Sequence, residues 1–209
     1  MVIEEFMTGR EVSVLSFVDG KTIRTMTSAQ DHKRAKDGDQ GLNTGGMGTF
    51  SPSPFYTPEV DEFCKKYVYQ KTVDAMAAEG RPFKGIIFFG LMLTADGPKV
   101  LEYNARFGDP EAQVVLPRME NDIIEVMEAC VDGKLDQIDL KFEDNAAVCV
   151  VLASDGYPVK YEKVSRSMDL RILRTKTAIT VSMREPNLKM ERSLQTVGVF
   201  LASLPKERH

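Results

Sequence analysis

The sequence has no tryptophan, only three cysteines and only two histidines among its 209 residues. Cys64, Cys130 and Cys149 are far apart and odd in number, so we expect reduced thiols rather than disulfides or a zinc site. No run of about 18 apolar residues occurs, and the N-terminus lacks the basic and then apolar layout of a signal peptide. These absences favour a cytoplasmic protein without a membrane partner.

The C-terminal part of the chain is short of acidic residues, of aromatic residues and of glycine. Residues 164–209 carry nine Lys or Arg and four Asp or Glu, a net charge of +5, whereas the remaining residues carry 18 and 27, a net charge of −9. A basic tail can mark a nucleic-acid site. Because Phe200 is its only aromatic residue, little is available for base stacking, and we expect no nucleic-acid partner.

The rest of the chain alternates between predicted strands and two predicted helices. Two strands flank the turn Asp19-Gly20, at residues 11–18 and 21–27. Thr57 caps a helix over 58–79, a second helix covers 122–131, and glycines follow both helices. A buried strand is predicted over 146–153. Between these elements, residues 28–58 are polar and rich in Gly and Pro, which predicts a long loop that is functional, disordered or a linker.

The most distinctive part of that loop is Asn-Thr-Gly-Gly-Met-Gly at 43–48. Three glycines in four positions permit positive φ and let backbone N–H groups converge on an anion. The segment is not a Walker P-loop, since no Gly-Lys-Ser/Thr follows. A flexible linker is the alternative, but Met47 and Phe50 are apolar anchors of a kind that linkers rarely carry.

A predicted β-hairpin carries the most suggestive polar face. The apolar segment 85–94 is followed by a turn at 95–98 and a second strand. Alternation places Glu102, Asn104 and Arg106 on one face of that strand. A carboxylate and an amide oxygen suit Mg²⁺, and a guanidinium can grip an oxyanion with a planar set of donors. A solvated strand face is the alternative interpretation.

Five segments occur in an order that resembles the phosphoribosylamine–glycine ligase family of the ATP-grasp superfamily. They are VIEEF at 2–6, QDHKR at 30–34, NTGGMG at 43–48, MAAEG at 76–80 and LEYNARFGDPE at 101–111. The resemblance covers about residues 1–163. It implies an α+β fold: the C-terminal half of an ATP-grasp domain, an antiparallel sheet with helices, at 1–140. The start of a small β-rich C-terminal domain then follows at 141–163.

The activity that this resemblance implies is a carbon–nitrogen ligation of de novo purine biosynthesis. Members join glycine to 5-phosphoribosylamine with ATP, through a glycyl phosphate, and release ADP and phosphate. ATP and Mg²⁺, or Mn²⁺, are the implied cofactors. Another ATP-grasp carboxylate–amine ligase and a non-catalytic ATP-binding remnant remain alternatives.

The resemblance also implies roles for individual residues. Glu102 and Asn104 correspond to metal ligands, and Arg106 to the stabiliser of the transferring phosphate or of the carbonyl oxyanion. Glu4, Glu5 and Phe6 resemble the hinge that holds adenine, and Glu11 the acid that binds the ribose. The wall that faces glycine and the phosphoribosyl group is implied at Asp31, Lys33, Arg34, Asn43, Thr44, Gly45, Gly46, Met47, Asp109, Pro110 and Glu111. Leu42 stands where the family usually has proline.

Two departures from the family pattern lead to further expectations. The N-terminal domain and the first half of the ATP-grasp have no counterpart here, so we expect a fragment that is inactive alone and has that missing half as its partner. After residue 163 the family pattern stops. Reading 164–209 from one nucleotide earlier allows a translation that contains FHAGTK and TNGGRVL, strings that the family carries there. We therefore interpret 164–209 as an aberrant tail produced by a single-nucleotide frameshift.

Overall fold

Two antiparallel sheets form the framework of the described structure. The structure is a computed structural model that describes residues 3–38, 40–153, 157–160, 179–183 and 197–204. The first sheet has four strands in the order β2-β1-β7-β8. Its strands are β1 (Arg10–Asp19), β2 (Ile23–Thr25), β7 (Lys84–Thr94) and β8 (Gly97–Asn104).

The β7–β8 hairpin confirms the prediction for the polar strand. Its turn is shorter than predicted, because Thr94 pairs with Gly97 and only two residues lie between them. Gly97 has a φ of 108°, in the region that glycine adopts without steric cost. Opposite β8, Phe88 pairs with Asn104 and Gly90 with Glu102, which fixes the register of the predicted metal ligands.

Each face of the first sheet packs against a different layer of helix. Leu15, Phe17 and Phe88 belong to one buried cluster, whose helical members are Val114, Val115, Val126, Ala129 and Cys130. The residues that alternate with these along the strands, such as Val14, Val18 and Phe89, form a second cluster on the other face. Its helical members include Cys64, Tyr69 and Val73. Strand alternation therefore separates two cores, and the polar face of β8 lies on the side of the first.

Residues 28–58, predicted as a long loop, contain four short strands. That stretch forms β3 (Gln30–Asp31), β4 (Arg34–Lys36), β5 (Gln40–Asn43) and β6 (Gly48–Ser51). Three more strands are β9 (Ala146–Ala153), β10 (Ile179–Met183) and β11 (Val197–Leu204). The strand order of the second sheet is β10-β11-β9-β6-β3, while β4 and β5 form a separate ribbon. The loop prediction was wrong because β6 pairs with β9, a partner about a hundred residues away that no local pattern reveals.

The predicted helix over 58–79 is one helical run with a change of pitch. It consists of α1 (Pro58–Cys64), a π-helical segment (Lys65–Tyr69) and α2 (Gln70–Ala78). Thr57 caps it through its side chain, as predicted, and Pro58 occupies the first position. No helix in the described part of the chain is both long enough and apolar enough to cross a membrane.

Two further helices lie on the other face of the sheet. They are α3 (Ala112–Val115), continued by a 3₁₀ turn (Leu116–Arg118), and α4 (Ile123–Asp132), which precedes a 3₁₀ turn at Leu135–Gln137. Asp122 caps α4, and Gly133 ends it with a φ of 72°. The predicted boundaries of α4 were therefore correct to within one residue.

The C-terminal tail contributes two described strands, β10 (Ile179–Met183) and β11 (Val197–Leu204). β11 pairs along the whole length of β9, and β10 pairs with β11. A turn that the sequence Ser-Asp-Gly-Tyr-Pro predicts at 154–158, after β9, falls partly outside the described residues.

Candidate functional site

The polar end of β8 opens into a small cavity. Glu102 and Asn104 lie on this strand, and Arg106 follows directly after it; all three line the cavity. A Cβ atom at Gly90 would lie 2.8 Å from the Cγ of Glu102, so glycine at this position leaves room for the Glu102 side chain. Strand alternation thus brings Glu102 and Asn104 to the cavity as predicted, whereas Arg106 lies in the bend after the strand rather than on it.

Residues from four separate parts of the sequence meet in this cavity. Its volume is about 110 Å³. That volume corresponds to about four water molecules, which suits a metal ion with part of a phosphate rather than a whole nucleotide. The lining consists of Asp31, Lys33, Thr44, Gly45, Phe88, Glu102, Asn104, Arg106, Asp109 and Glu111. All of these except Phe88 were predicted as site residues.

The charges in the cavity lining do not balance. Asp31, Glu102, Asp109 and Glu111 contribute four carboxylates, whereas Lys33 and Arg106 contribute two cations. With all six groups ionised the lining has an excess of two negative charges. A phosphate group would therefore be repelled unless a divalent cation entered with it.

Lys33 lies close to the lining carboxylates Asp31 and Glu102 and to Glu11, which is outside the lining. Its Nζ is 2.8 Å from Oε2 of Glu11, in an ion pair that is partly exposed. Burial works to lower the pKa of Lys33, but the hydrogen bond to Glu11 and the charges of Asp31, Glu11 and Glu102 outweigh it and raise the pKa. Lys33 is thus held as a cation between Glu11 and the cavity.

Asp31 and Glu111 are the two carboxylates that the fold shields most from water in this cavity. Burial raises the pKa of each. Their mutual repulsion also raises the pKa of Glu111, while Lys33 lowers both pKa values. Negative charge on both groups is therefore stabilised by a ligand that brings positive charge or hydrogen-bond donors.

The turn that carries Asp109 and Glu111 packs against the glycine-rich segment. Gly46 has a φ of 114°, and a Cβ atom there would lie 2.5 Å from Cδ of Pro110. Asp109 Oδ1 accepts a hydrogen bond from Gln113, one turn further on, at 2.8 Å. Gly46 and Pro110, both predicted as substrate-binding, thus join two walls of the site rather than line the cavity.

The predicted anion nest is not formed by the described residues. The N–H groups of Gly45, Gly46 and Met47 donate to Tyr157 Oη, Thr44 Oγ1 and the carbonyl of His32, respectively. The prediction was wrong because each amide has a protein partner close by in space. Only the Gly45 bond, at 3.3 Å, is long.

Several other predicted site residues lie outside the cavity. Glu4, Glu5 and Phe6 form an exposed segment without regular structure; Phe6 is 90% exposed, and Glu5 pairs with Lys99 at 2.7 Å. Arg34 and Asn43 face each other across the exposed β4–β5 ribbon. Met47 connects backbone segments, since its carbonyl accepts from the Val151 N–H.

Three residues near the site were missed by the sequence analysis. Phe88 lines the cavity, Ser13 donates a hydrogen bond to Glu111 at 3.0 Å, and Tyr157 accepts one from Gly45. A serine inside the apolar run 12–18 was the available signal for Ser13. No local signal distinguishes Tyr157, which meets the site across 112 residues of sequence.

A larger groove lies on the opposite face of the first sheet. Its volume is about 670 Å³, and it runs between the helical run 58–78 and β8, with Tyr67, Met76, Phe83 and Tyr103 among its lining residues. Its walls are mainly apolar. Asn104 lines this groove as well as the smaller cavity.

The oxygen donors of the cavity fit a hard divalent cation such as Mg²⁺ or Mn²⁺ better than a metal that prefers Cys or His ligands. Within the described ranges, no group of three or more His, Cys, Asp or Glu side chains is arranged to hold a metal by itself. Two protein oxygens, from Glu102 and Asn104, are what Mg²⁺ takes when phosphate and water supply its remaining ligands. The excess of negative charge favours a divalent cation without selecting one metal.

Comparison with known proteins assigns the family. The family model described as the phosphoribosylglycinamide synthetase, ATP-grasp (A) domain matches residues 1–112, more than half of the chain. The chain belongs to this family of ATP-grasp domains.

Individual relatives agree with that assignment. The chain is 48% identical over 173 residues to a phosphoribosylamine–glycine ligase of Brucella melitensis, covering 83% of this chain and 40% of that protein. It is 54% identical over 164 residues to a trifunctional purine biosynthetic protein of Gallus gallus, covering 78% of this chain and 16% of that protein. The chain thus spans well under half the length of these curated relatives.

Solved structures show the same fold. The crystal structure of a phosphoribosylamine–glycine ligase from Thermotoga maritima matches with a TM-score of 0.71 and 28% identity, over 97% of this chain and 50% of that one. An L-amino acid ligase from Bacillus licheniformis matches with a TM-score of 0.63 at 14% identity, which supports the fold alone. The predicted α+β class and the ATP-grasp assignment are confirmed.

Proposed function

We propose that this chain is the metal- and phosphate-binding part of an ATP-dependent ligase that joins glycine to 5-phosphoribosylamine and releases ADP and phosphate. The observation that carries the proposal is the cavity in which Glu102, Asn104 and Arg106 meet Lys33 and three further acidic side chains. Similarity to phosphoribosylamine–glycine ligases supports the choice of substrates.

In this proposal Glu102 and Asn104 hold Mg²⁺, with Mn²⁺ as an alternative. When bound, the ion would neutralise the phosphate charge that the acidic lining repels. Arg106 follows β8 and is exposed, and one of its terminal nitrogens donates to the carbonyl of Phe107 at 2.8 Å. The guanidinium has further N–H donors, with which it would stabilise charge on a transferring phosphate or on the carboxylate of glycine.

The order of the proposed nucleotide contacts along β8 supports ATP as the nucleotide. The segment 4–6, proposed to hold adenine, lies near the start of β8, where Glu5 pairs with Lys99. The proposed metal ligands Glu102 and Asn104 lie at the other end of β8. Five residue steps separate Lys99 from Asn104, roughly 16 Å of strand. Glu11, proposed to bind the ribose, reaches the cavity through Lys33. An extended nucleoside triphosphate spans a comparable length.

The remaining lining residues would hold the other substrates. Asp31, Asp109 and Glu111 are acceptors for the ammonium group of glycine and for ribose hydroxyls. Thr44 and Gly45 form the wall next to Lys33, because the hydroxyl of Thr44 donates to the Lys33 carbonyl at 2.9 Å. The predicted substrate-binding residues that do not line the cavity would support this wall from outside: Arg34, Asn43, Gly46, Met47 and Pro110.

The chain would need a complementary half to work as a ligase. The cavity is open, and the relatives it matches extend well beyond the aligned part. Phosphoryl transfer requires water to be excluded and the phosphates to be clamped from both sides. The N-terminal half of a phosphoribosylamine–glycine ligase is therefore the proposed partner, and ligase activity is expected only in its presence.

The test is a coupled ADP-release assay with ATP, Mg²⁺, glycine and freshly generated phosphoribosylamine. The chain is assayed alone, with the N-terminal half of a related ligase, and as the Arg106→Ala variant with that half. Activity in the mixture and its loss in the variant would support the proposal. If the folded mixture releases ADP equally well without glycine, the chain is a nucleotide-binding module of another kind.

We also propose a division of the chain into an ATP-grasp lobe at 1–140, the start of a C-terminal domain at 141–163, and a frameshifted tail at 164–209. The support for the last boundary is the shifted reading of 164–209, which contains strings that the family carries there. The gene sequence around codon 163, read on both strands, tests this. An intact frame through that codon would refute it.

A further inference from the structure

Glu111 has a buried side chain with one carboxylate oxygen hydrogen-bonded and the other next to a glycine. Ser13 Oγ donates to Oε1 at 3.0 Å, and both residues are buried, Ser13 at 5% exposure and Glu111 at 4%. On the other side, a Cβ atom at Gly108 would overlap Oε2. Ser13 thus holds one oxygen of the carboxylate, and the lack of a side chain at Gly108 leaves room for the other.

The Glu111 backbone is fixed independently of its side chain. Glu111 immediately precedes α3, and its carbonyl accepts from the N–H groups of Val114 and Val115. Both valines are completely buried in the first core cluster. A glutamate side chain still has three rotatable bonds, so an anchored backbone alone does not determine where the carboxylate lies.

Ser13 is well suited to supply the missing constraint. It lies inside β1, opposite Gly90 of β7, and its N–H and carbonyl both bond to Ala29 at 2.8 and 2.9 Å. Its short side chain has a single rotatable bond before the hydroxyl. The hydroxyl position is therefore determined by a strand that is held on two sides.

We infer that Ser13 is a positioning residue, which holds the Glu111 carboxylate in the orientation that faces the substrate in the cavity. The inference rests on the proposed function insofar as Glu111 contacts substrate. The contact between the two side chains, by contrast, is a feature of this chain alone and is testable without any enzymatic activity.

The chain contains a matched control on the same strand. Ser16 is also completely buried in β1, but its hydroxyl has no hydrogen-bond partner among the described residues. By strand alternation it lies on the face opposite Ser13, with Val14 and Val18. Removing the Ser16 hydroxyl deletes the same atom without touching the site.

The direct test is a pH titration of Glu111. It is monitored by NMR, with the chain labelled with ¹³C at the glutamate carboxyl groups. The Glu111 resonance is identified as the one that disappears in Glu111→Gln. Asp31 and Lys33 act on Glu111 in the parent and in the variants alike, as do the other charged lining residues, Glu102, Arg106 and Asp109. Any difference between variants therefore reports the lost hydrogen bond.

Because the Ser13 hydrogen bond stabilises the ionised form, its loss should raise the pKa of Glu111. We expect an upward shift of the titration midpoint in Ser13→Ala and no shift in Ser16→Ala. Ser13→Cys, which keeps the shape and has only a weak donor, should also shift upward and serves if the alanine variant does not fold. An unchanged midpoint in a folded Ser13 variant overturns the inference.

A second test measures ligase activity in the mixture of the chain with the N-terminal half. Ser13→Ala should lower kcat/KM for phosphoribosylamine or glycine about tenfold and leave the KM for ATP unchanged. In a Glu111→Gln background the same change should have no further effect, because Ser13 acts through Glu111. Additive losses overturn the inference. An inactive parent mixture refutes the proposed function, while the titration still decides the role of Ser13.

Discussion

Asp19 is a charged side chain that the fold buries and surrounds with backbone donors. Its Oδ1 accepts from the N–H groups of Lys21 at 3.1 Å and Thr22 at 2.7 Å, and Oδ2 from that of Leu135 at 3.0 Å. Burial works to raise its pKa, but these three hydrogen bonds outweigh burial and lower the pKa. One carboxylate thus closes the β1–β2 turn and attaches the segment after α4.

Asp19→Asn should destabilise the chain, because an amide has one acceptor oxygen and cannot serve both sets of donors. We expect the free energy of unfolding at neutral pH to fall by about 1–3 kcal/mol, measured by urea unfolding. Asp37→Asn, at an exposed turn residue, is the control and should have little effect. Equal losses in the two variants would contradict this account of Asp19.

The same hydrogen bonds predict a pH dependence. Since the pKa of Asp19 is lower in the folded than in the unfolded chain, its contribution is complete above the unfolded value of about 4. It is lost as the pH falls through the folded value. Asp19→Asn should therefore lose less stability than the parent on acidification. Parallel stability curves for parent and variant would rule out this contribution.

At the scale of elements, Arg118 connects the two sheets. Its guanidinium donates to Thr27 Oγ1 at 2.8 Å, after β2, and to Ser51 Oγ at 2.7 Å, at the end of β6. It also donates to Asn145 Oδ1 and to the Glu143 carbonyl, just before β9. Four hydrogen bonds from one buried side chain therefore join the segment after β2, in the first sheet, to β6 and to the segment before β9, in the second.

Arg118→Lys should be costly although it keeps the charge, because an ammonium group has three donors and cannot reproduce the planar geometry. We expect a loss of about 2–4 kcal/mol in the free energy of unfolding. Arg81→Lys, at an exposed position, is the matched control. A loss no larger than that of the control would show that the four bonds contribute nothing net.

The contact between the glycine-rich segment and the 109–111 turn makes a second prediction at this scale. Gly46→Ala combines a positive φ with a clash at Pro110, whereas Gly38 has a φ of 66° and no other described atom within 4 Å of the site of its Cβ. Gly38→Ala should cost about 1 kcal/mol, the cost of the left-handed conformation alone. Gly46→Ala should cost about twice as much or more. Similar costs, measured by urea unfolding, would contradict the close packing of these two walls.

Elements with local signals could be predicted from the sequence, and those defined by distant partners could not. The β7–β8 hairpin and α4 have turns, caps and periodicity within their own residues, and both were predicted nearly as they occur. β3 to β6 have none of these signals, since they are stabilised by β9 and by one another. The predicted nest failed for a related reason, because tertiary contacts supply partners for its amides.

At the scale of the molecule, the first sheet separates an apolar groove from a polar cavity. The resemblance to a known family predicted most of the residues that line the cavity. The sequence alone did not show that Asp31 and Glu111 repel each other there. Neither did it show the excess of two negative charges, which depends on how four distant segments come together. That excess is the physical reason why a divalent cation is central to the proposed function.

The most direct test of this central claim is an electron paramagnetic resonance titration of free Mn²⁺ with the chain and ATP. We predict that the chain binds Mn²⁺ with ATP, and that Glu102→Gln weakens this binding at least about tenfold, because it removes a charged metal ligand. Glu62→Gln, on the exposed part of α1, is the matched control and should bind as the parent does. Unchanged binding in Glu102→Gln would contradict the assignment of the metal and phosphate site.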